Sequence, residues 1–124
     1  MTELACLEIA VLLWLVHLLW QAGSTGQPVS YLIGSRDERR EPTNLTGRRA
    51  DRALGNYMQS FPVFAALVLA FMVTHHPAGI WPAVWVLARI VYLPLYLFNG
   101  VYFRTIAWTI SIVALVAMLI RLVM

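Results

Sequence analysis

The sequence predicts an all-α integral membrane protein, a bundle of four transmembrane helices in a single domain. Two observations carry this. Of 124 residues, 60% are hydrophobic and only 12% charged, with a mean hydropathy of +0.72. A soluble domain carries roughly 25% charged residues. The apolar residues also fall into four runs separated by polar or turn-forming segments, and four spans of about 20 residues use most of the length.

The first helix is expected over residues 4–22. It holds Glu8 and His17 on opposite sides. Glu8 reads as an interfacial carboxylate reached by water, with a proton carrier as the other reading; His17 reads as a satisfied bundle histidine. No signal peptide is expected, because no Arg or Lys precedes the apolar run and no small-residue cleavage site follows it. Residues 23–28, Gly-Ser-Thr-Gly-Gln-Pro, read as a break. Val29 to Ile33 is either an interfacial turn or a continuation of the first helix past a kink. A polar cytoplasmic loop follows over residues 34–47. Asn44-Leu45-Thr46 fits the glycosylation pattern, but in a cytoplasmic loop it reads as accidental.

The second helix is expected over residues 48–74. Its uninterrupted apolar run, Phe61 to Val73, spans roughly 20 Å at 1.5 Å per residue, against a hydrocarbon core of about 30 Å. A spanning helix must therefore start near Leu54, which draws Asn56, Gln59 and Ser60 into the membrane. Polar groups are costly there and usually serve a purpose. At 100° per residue Arg49, Arg52, Asn56 and Gln59 form one stripe. It is expected to face a partner helix, another subunit or a polar ligand.

His75 to Gly79 reads as a tight turn. The adjacent His75 and His76 lack nearby acids, so they read as exposed turn residues and no metal site is expected. The third helix is expected over residues 80–98, with Arg89 near its middle. An unpaired Arg there costs about 2.5–3.5 kcal/mol on insertion scales. Tyr92 and Tyr96 share its face. Two readings stand: a polar pocket wall, or a structural Arg paired with Glu8 or backbone oxygens. Asn99-Gly100 reads as a turn, and the fourth helix is expected over residues 102–122. At its start Arg104 reads as a snorkelling anchor beside Trp108 on spacing alone. Trp14, Trp20, Trp81, Trp85 and Trp108 suit interface anchoring, with Trp14 and Trp85 also suited to the core.

There is no Lys, and six of the nine Arg lie between Arg36 and Arg52. Four acids are interleaved with them, which argues against a nucleic-acid arm. The loop Arg cluster and Arg104 mark one side of the membrane, and Arg121 alone marks the other. The positive-inside rule then puts both termini on the non-cytoplasmic side. The single Cys6 excludes an internal disulfide and a multi-cysteine metal site.

These pieces together resemble the family of membrane-associated proteins in eicosanoid and glutathione metabolism (MAPEG). That family includes microsomal glutathione transferases and small bacterial members. Its second-helix pattern, Arg-Ala-x-x-Asn-x-x-Glu-x-x-Pro, stands here as Arg52, Ala53, Asn56, Gln59 and Pro62. Arg89, Tyr92 and Tyr96 resemble the face of the family's third helix. Arg104, Thr105 and Trp108 resemble the start of its fourth. The resemblance covers residues 36–124.

The resemblance implies a homotrimer in the membrane lipid, here of a bacterial inner membrane. It implies glutathione or another low-molecular-weight thiol as cofactor, held between subunits near the cytoplasmic leaflet, and a lipophilic small molecule as second substrate. Arg104 takes the catalytic role of stabilising a thiolate. Arg52, Asn56, Gln59, Arg89, Tyr92 and Tyr96 form the cofactor-binding set. One position departs from the pattern: the family's Glu is Gln59, which hydrogen-bonds but cannot pair with an ammonium. The leading expectation is a thiol-dependent transferase or peroxidase acting on lipophilic electrophiles. The alternatives are a non-catalytic binding or scaffold protein of the same fold, and a small proton-coupled exporter for which Glu8 is the available membrane carboxylate.

Overall fold

A computed structural model describes residues 2–24, 34, 45–98 and 100–124. It contains four helices, α1 (Glu3–Gly23), α2 (Leu45–Thr74), α3 (Trp81–Leu97) and α4 (Val101–Val123). Val29 to Ile33, most of the polar loop with Arg36, Arg39 and Arg40, Asn44 and Asn99 lie outside the described residues.

Each helix starts and stops for a local reason. Thr2 caps α1: its hydroxyl accepts the Ala5 N–H at 3.1 Å, and Glu3 lies in the first turn, where negative charge suits the helix dipole. α2 begins three residues before the sequence expectation, because Leu45, Thr46 and Gly47 join its first turn. Its 30 residues rise roughly 45 Å, more than the hydrocarbon core, so its first turns extend beyond the core. α2 ends at His75, which adopts a left-handed φ of 55°. Gly79 then turns the chain with φ 74°, and a Cβ there would sit 3.3 Å from the Arg121 guanidinium carbon. Pro82 in the first turn of α3 costs no helical hydrogen bond. Gly100 links α3 to α4, where a Cβ would come within 2.9 Å of Leu95.

α1, α2 and α4 are long and apolar enough to cross a membrane, and α3 is a shorter apolar helix of 17 residues. The helices alternate in direction. At one end Glu3 accepts the Ala78 N–H at 3.2 Å, and Arg121 donates to the Pro77 carbonyl at 3.1 Å. At the other end Gln21 donates to Asp51 at 3.4 Å, and Arg49 donates to the Leu97 carbonyl at 3.0 Å. The core runs along the bundle axis through Ala10, Ala53, Phe64, Trp85, Ala114 and Met118. Trp85 is buried, Trp14 and Trp81 are half-buried, and Trp20 and Trp108 are exposed. Trp85 is thus a core residue rather than an anchor.

Candidate functional site

The polar stripe of α2 is divided by the edge of the bundle. Arg49 and Asn56 are half-buried, whereas Arg52 and Gln59 are exposed. On the helical wheel Arg49 and Asn56 lie within about 20° of each other, and Arg52 and Gln59 begin about 40° further round. The bundle covers the first pair and leaves the second outside.

Asn56 meets Tyr92 and Tyr96 of α3 and Arg104, Thr105 and Trp108 of α4 around one cavity of about 190 Å³. This cavity lies in the half of the bundle that holds the α3–α4 link. Tyr92 and Tyr96 are one helical turn apart, with ring centres separated by 5.6 Å. Arg104 sits one turn into α4, and its backbone N–H donates to the Gly100 carbonyl at 2.8 Å. Its guanidinium lies 4.6 Å from the centre of the Tyr96 ring, in cation–π range. Asn56 brings an enclosed side-chain oxygen with no hydrogen-bond partner among the described residues.

Arg89 does not line this cavity. It is fully buried in the bundle, behind the wall. Its guanidinium carbon lies 4.4 Å from the centre of the Tyr92 ring and 5.3 Å from that of Tyr57. None of its three side-chain nitrogens has a hydrogen-bond partner among the described residues. Glu8 is exposed on α1. The expected pairing of Arg89 with Glu8 or with backbone oxygens is therefore corrected: two aromatic faces are what the guanidinium meets. Glu8 lies on the outer face of α1 and is turned away from the core.

Sequence reasoning left Tyr57 out of the candidate set. Its hydroxyl donates to the Ala10 carbonyl of α1. Its ring stacks on His17 at 4.5 Å and lies 5.7 Å from Trp85. The only signal was its position beside Asn56, one residue off the polar stripe. His17 is buried, with Nδ1 2.8 Å from the Leu13 carbonyl. Its Nε2 has no partner among the described residues, so the histidine is satisfied on one side only.

A second, apolar groove of about 410 Å³ runs along α3 and α4, between Val84, Leu87, Val91, Leu95, Phe103 and Ile106. At the far end of the bundle, His75 and His76 are exposed and share a shallow pocket with Glu3 and Phe71. Among the described residues no three His, Cys, Asp or Glu side chains gather into a metal-binding group.

The geometry can therefore hold an anion against Arg104, with aromatic walls and an amide opposite. Comparison of the sequence with curated proteins and with solved structures gives no significant match. A model of the MAPEG family, a four-helix membrane family, matches residues 4–124, nearly the whole chain and more than the motifs of α2 to α4 alone. With four apolar helices in place and the match running through all of them, the chain belongs to the MAPEG family.

Proposed function

We propose that this protein binds a low-molecular-weight thiol, glutathione or a relative, in the Asn56–Arg104 cavity and uses it against lipophilic electrophiles. The observation that carries the reading is that Asn56, Tyr92, Tyr96 and Arg104, drawn from three helices, line one cavity. Arg104 supplies the chemistry. A free thiol of the cysteine type has a pKa near 8.5, and lowering it by two units needs about 2.7 kcal/mol. A partly desolvated guanidinium at about 4 Å offers on the order of 4 kcal/mol. The thiol proton leaves to water. The thiolate then attacks an electrophilic carbon, forms the S–C bond and expels the leaving group with its electron pair. The apolar groove along the same two helices suits the lipophilic partner.

A neighbouring copy completes the site in this reading. A cavity of about 190 Å³ is below the roughly 300–1,000 Å³ usual for small-molecule pockets. Arg52 and Gln59 stand on the outer face of α2, where lipid contact is costly. Laying that face over the cavity of the next copy enlarges the site and covers both residues, within a homotrimer in a bacterial inner membrane. A second reading, a non-catalytic binding protein, is favoured by one observation: Gln59 leaves the outer stripe without a carboxylate. Equilibrium binding of glutathione to the purified protein, followed by turnover with a model aryl halide, separates them. Binding with turnover supports the enzyme, binding alone supports the second reading, and failure to bind any thiol removes the cofactor proposal.

A further inference from the structure

We infer that the cavity selects a net-anionic thiol whose amino nitrogen is acylated or missing, in preference to a free amino thiol. The inference rests on the proposal that the cavity holds a thiol. It comes from the fixed charges around the cavity.

Among the described residues the cavity lining contains one guanidinium, Arg104, and no carboxylate. A second guanidinium, Arg89, lies 4.4 Å behind the Tyr92 ring, closed off from solvent and from any counter-ion among the described residues. The described acids are placed elsewhere. Glu3 is held at the far end of the bundle by the Ala78 N–H. Glu8 is on the outer face of α1. Asp51 accepts from Gln21 on the α1 side of α2. The cavity therefore has one positive charge in its wall and a second behind the Tyr92 ring, and away from bulk water opposite charges attract more strongly. Carboxylate and thiolate groups are drawn by both guanidiniums. An ammonium on the same ligand is repelled by both and finds no carboxylate among the described residues to receive it.

The neutral groups point the same way. Asn56 lines the cavity as a neutral amide and brings no negative charge to receive an ammonium. A neighbouring copy that covers the cavity with its outer α2 face brings the residues exposed there, Arg52 and Gln59. These are a further cation and a neutral amide. Neither receives an ammonium as a carboxylate does.

The test compares glutathione with its N-acetylated form, thiol free in both, by titration calorimetry on the full chain at low ionic strength. The acetylated thiol is expected to bind about tenfold tighter, a modest share of the repulsion that two nearby guanidiniums exert on an ammonium at an effective dielectric of about 20. In Arg104→Gln the preference should narrow to about threefold or less, since one of the two charges is gone. In Gln59→Glu, a change at an exposed position that leaves the core untouched, glutathione should gain on the acetylated form. Equal or tighter binding of glutathione by the wild type overturns the inference and leaves the thiol proposal standing. A preference unchanged in Arg104→Gln overturns its electrostatic basis. Binding of neither thiol takes both down.

Discussion

The guanidinium of Arg89 lies 4.4 Å from the ring centre of Tyr92, and that aromatic face, with Tyr57 at 5.3 Å, stands in for a counter-ion. Cation–π contacts contribute about 2 kcal/mol each when desolvated. Burying a charge costs several kcal/mol. The two terms nearly cancel, so Arg89→Met should change stability by no more than about 1 kcal/mol in either direction. Arg89→Lys keeps the cost, loses the planar stack, and should be the less stable variant by about 1–2 kcal/mol. Thermal unfolding in detergent ranks the two. A Met variant well below the Lys variant would mean that the charge itself stabilises the bundle.

Tyr57 ties three helices together, through the Ala10 carbonyl, the His17 ring and the Arg89 guanidinium. Tyr57→Phe removes the hydroxyl and keeps the ring. The loss should be about 0.5–1.5 kcal/mol, the usual size for one such bond in a membrane bundle. Tyr57→Ala also empties the core and should cost about 3–5 kcal/mol. Denaturant titration of both variants measures the gap, and equal losses would show that the hydroxyl, not the ring, holds the helices.

The four helices were legible because apolar runs long enough to span a membrane allow few other structures. The cavity was legible in part. Asn56, Tyr92 and Tyr96 follow from helical phase, Arg104 entered through the family resemblance, and the structure brings the four together. Arg52 and Gln59 share the stripe but not the cavity, because a stripe roughly 80° wide is broader than the contact that one neighbouring helix covers. The place of Arg89 was hidden for another reason. Its partners are aromatic faces, one of them Tyr57 on a different helix, and spacing within one helix carries no trace of that. Tyr57 was missed because a tyrosine on a membrane helix gives the same sequence signal whether it anchors an interface or bonds a carbonyl in the core.

The topology prediction follows from charge. Arg48, Arg49, Arg52 and Arg104 lie toward the end of the bundle that holds the α3–α4 link, and Arg121 lies at the other. Basic residues favour the cytoplasmic side. Both termini should therefore be non-cytoplasmic and the cavity should open toward the cytoplasmic leaflet. Reporter fusions after Met124 check this; activity of a cytoplasmic reporter would invert the orientation and move the site to the opposite leaflet.

The exposed α2 stripe sets the prediction for assembly. Arg52 and Gln59, roughly 10 Å apart along the helix, are exposed in the single chain. The lone chain leaves a polar face at or near membrane depth, and polar groups there almost always turn inward or pair. Native mass measurement should find three chains per complex. Cross-links between cysteines placed at Arg52 and at Trp108, on the cavity rim, should form between chains rather than within one. A monomer or an antiparallel pair would remove the shared site.

Arg104 carries the chemical prediction. It is half-buried at the cavity, with its charge against the Tyr96 ring. If it lowers a bound thiol by two units from about 8.5, roughly three-quarters of that thiol is ionised at neutral pH, against a few per cent when free. Arg104→Leu removes the charge and keeps much of the apolar stem, so the bundle should still fold. Its bound thiol should return to a nearly protonated state at neutral pH, and the ultraviolet absorbance of the thiolate should disappear. Arg104→Lys should restore part of the absorbance, because an ammonium stabilises the anion but lacks the flat surface that stacks on Tyr96. Raising the pH should bring the signal back in Arg104→Leu, with a midpoint near that of the free thiol. That recovery separates lost ionisation from lost binding. A wild-type thiol titrating no lower than the free one would deny Arg104 its role, whatever the affinity.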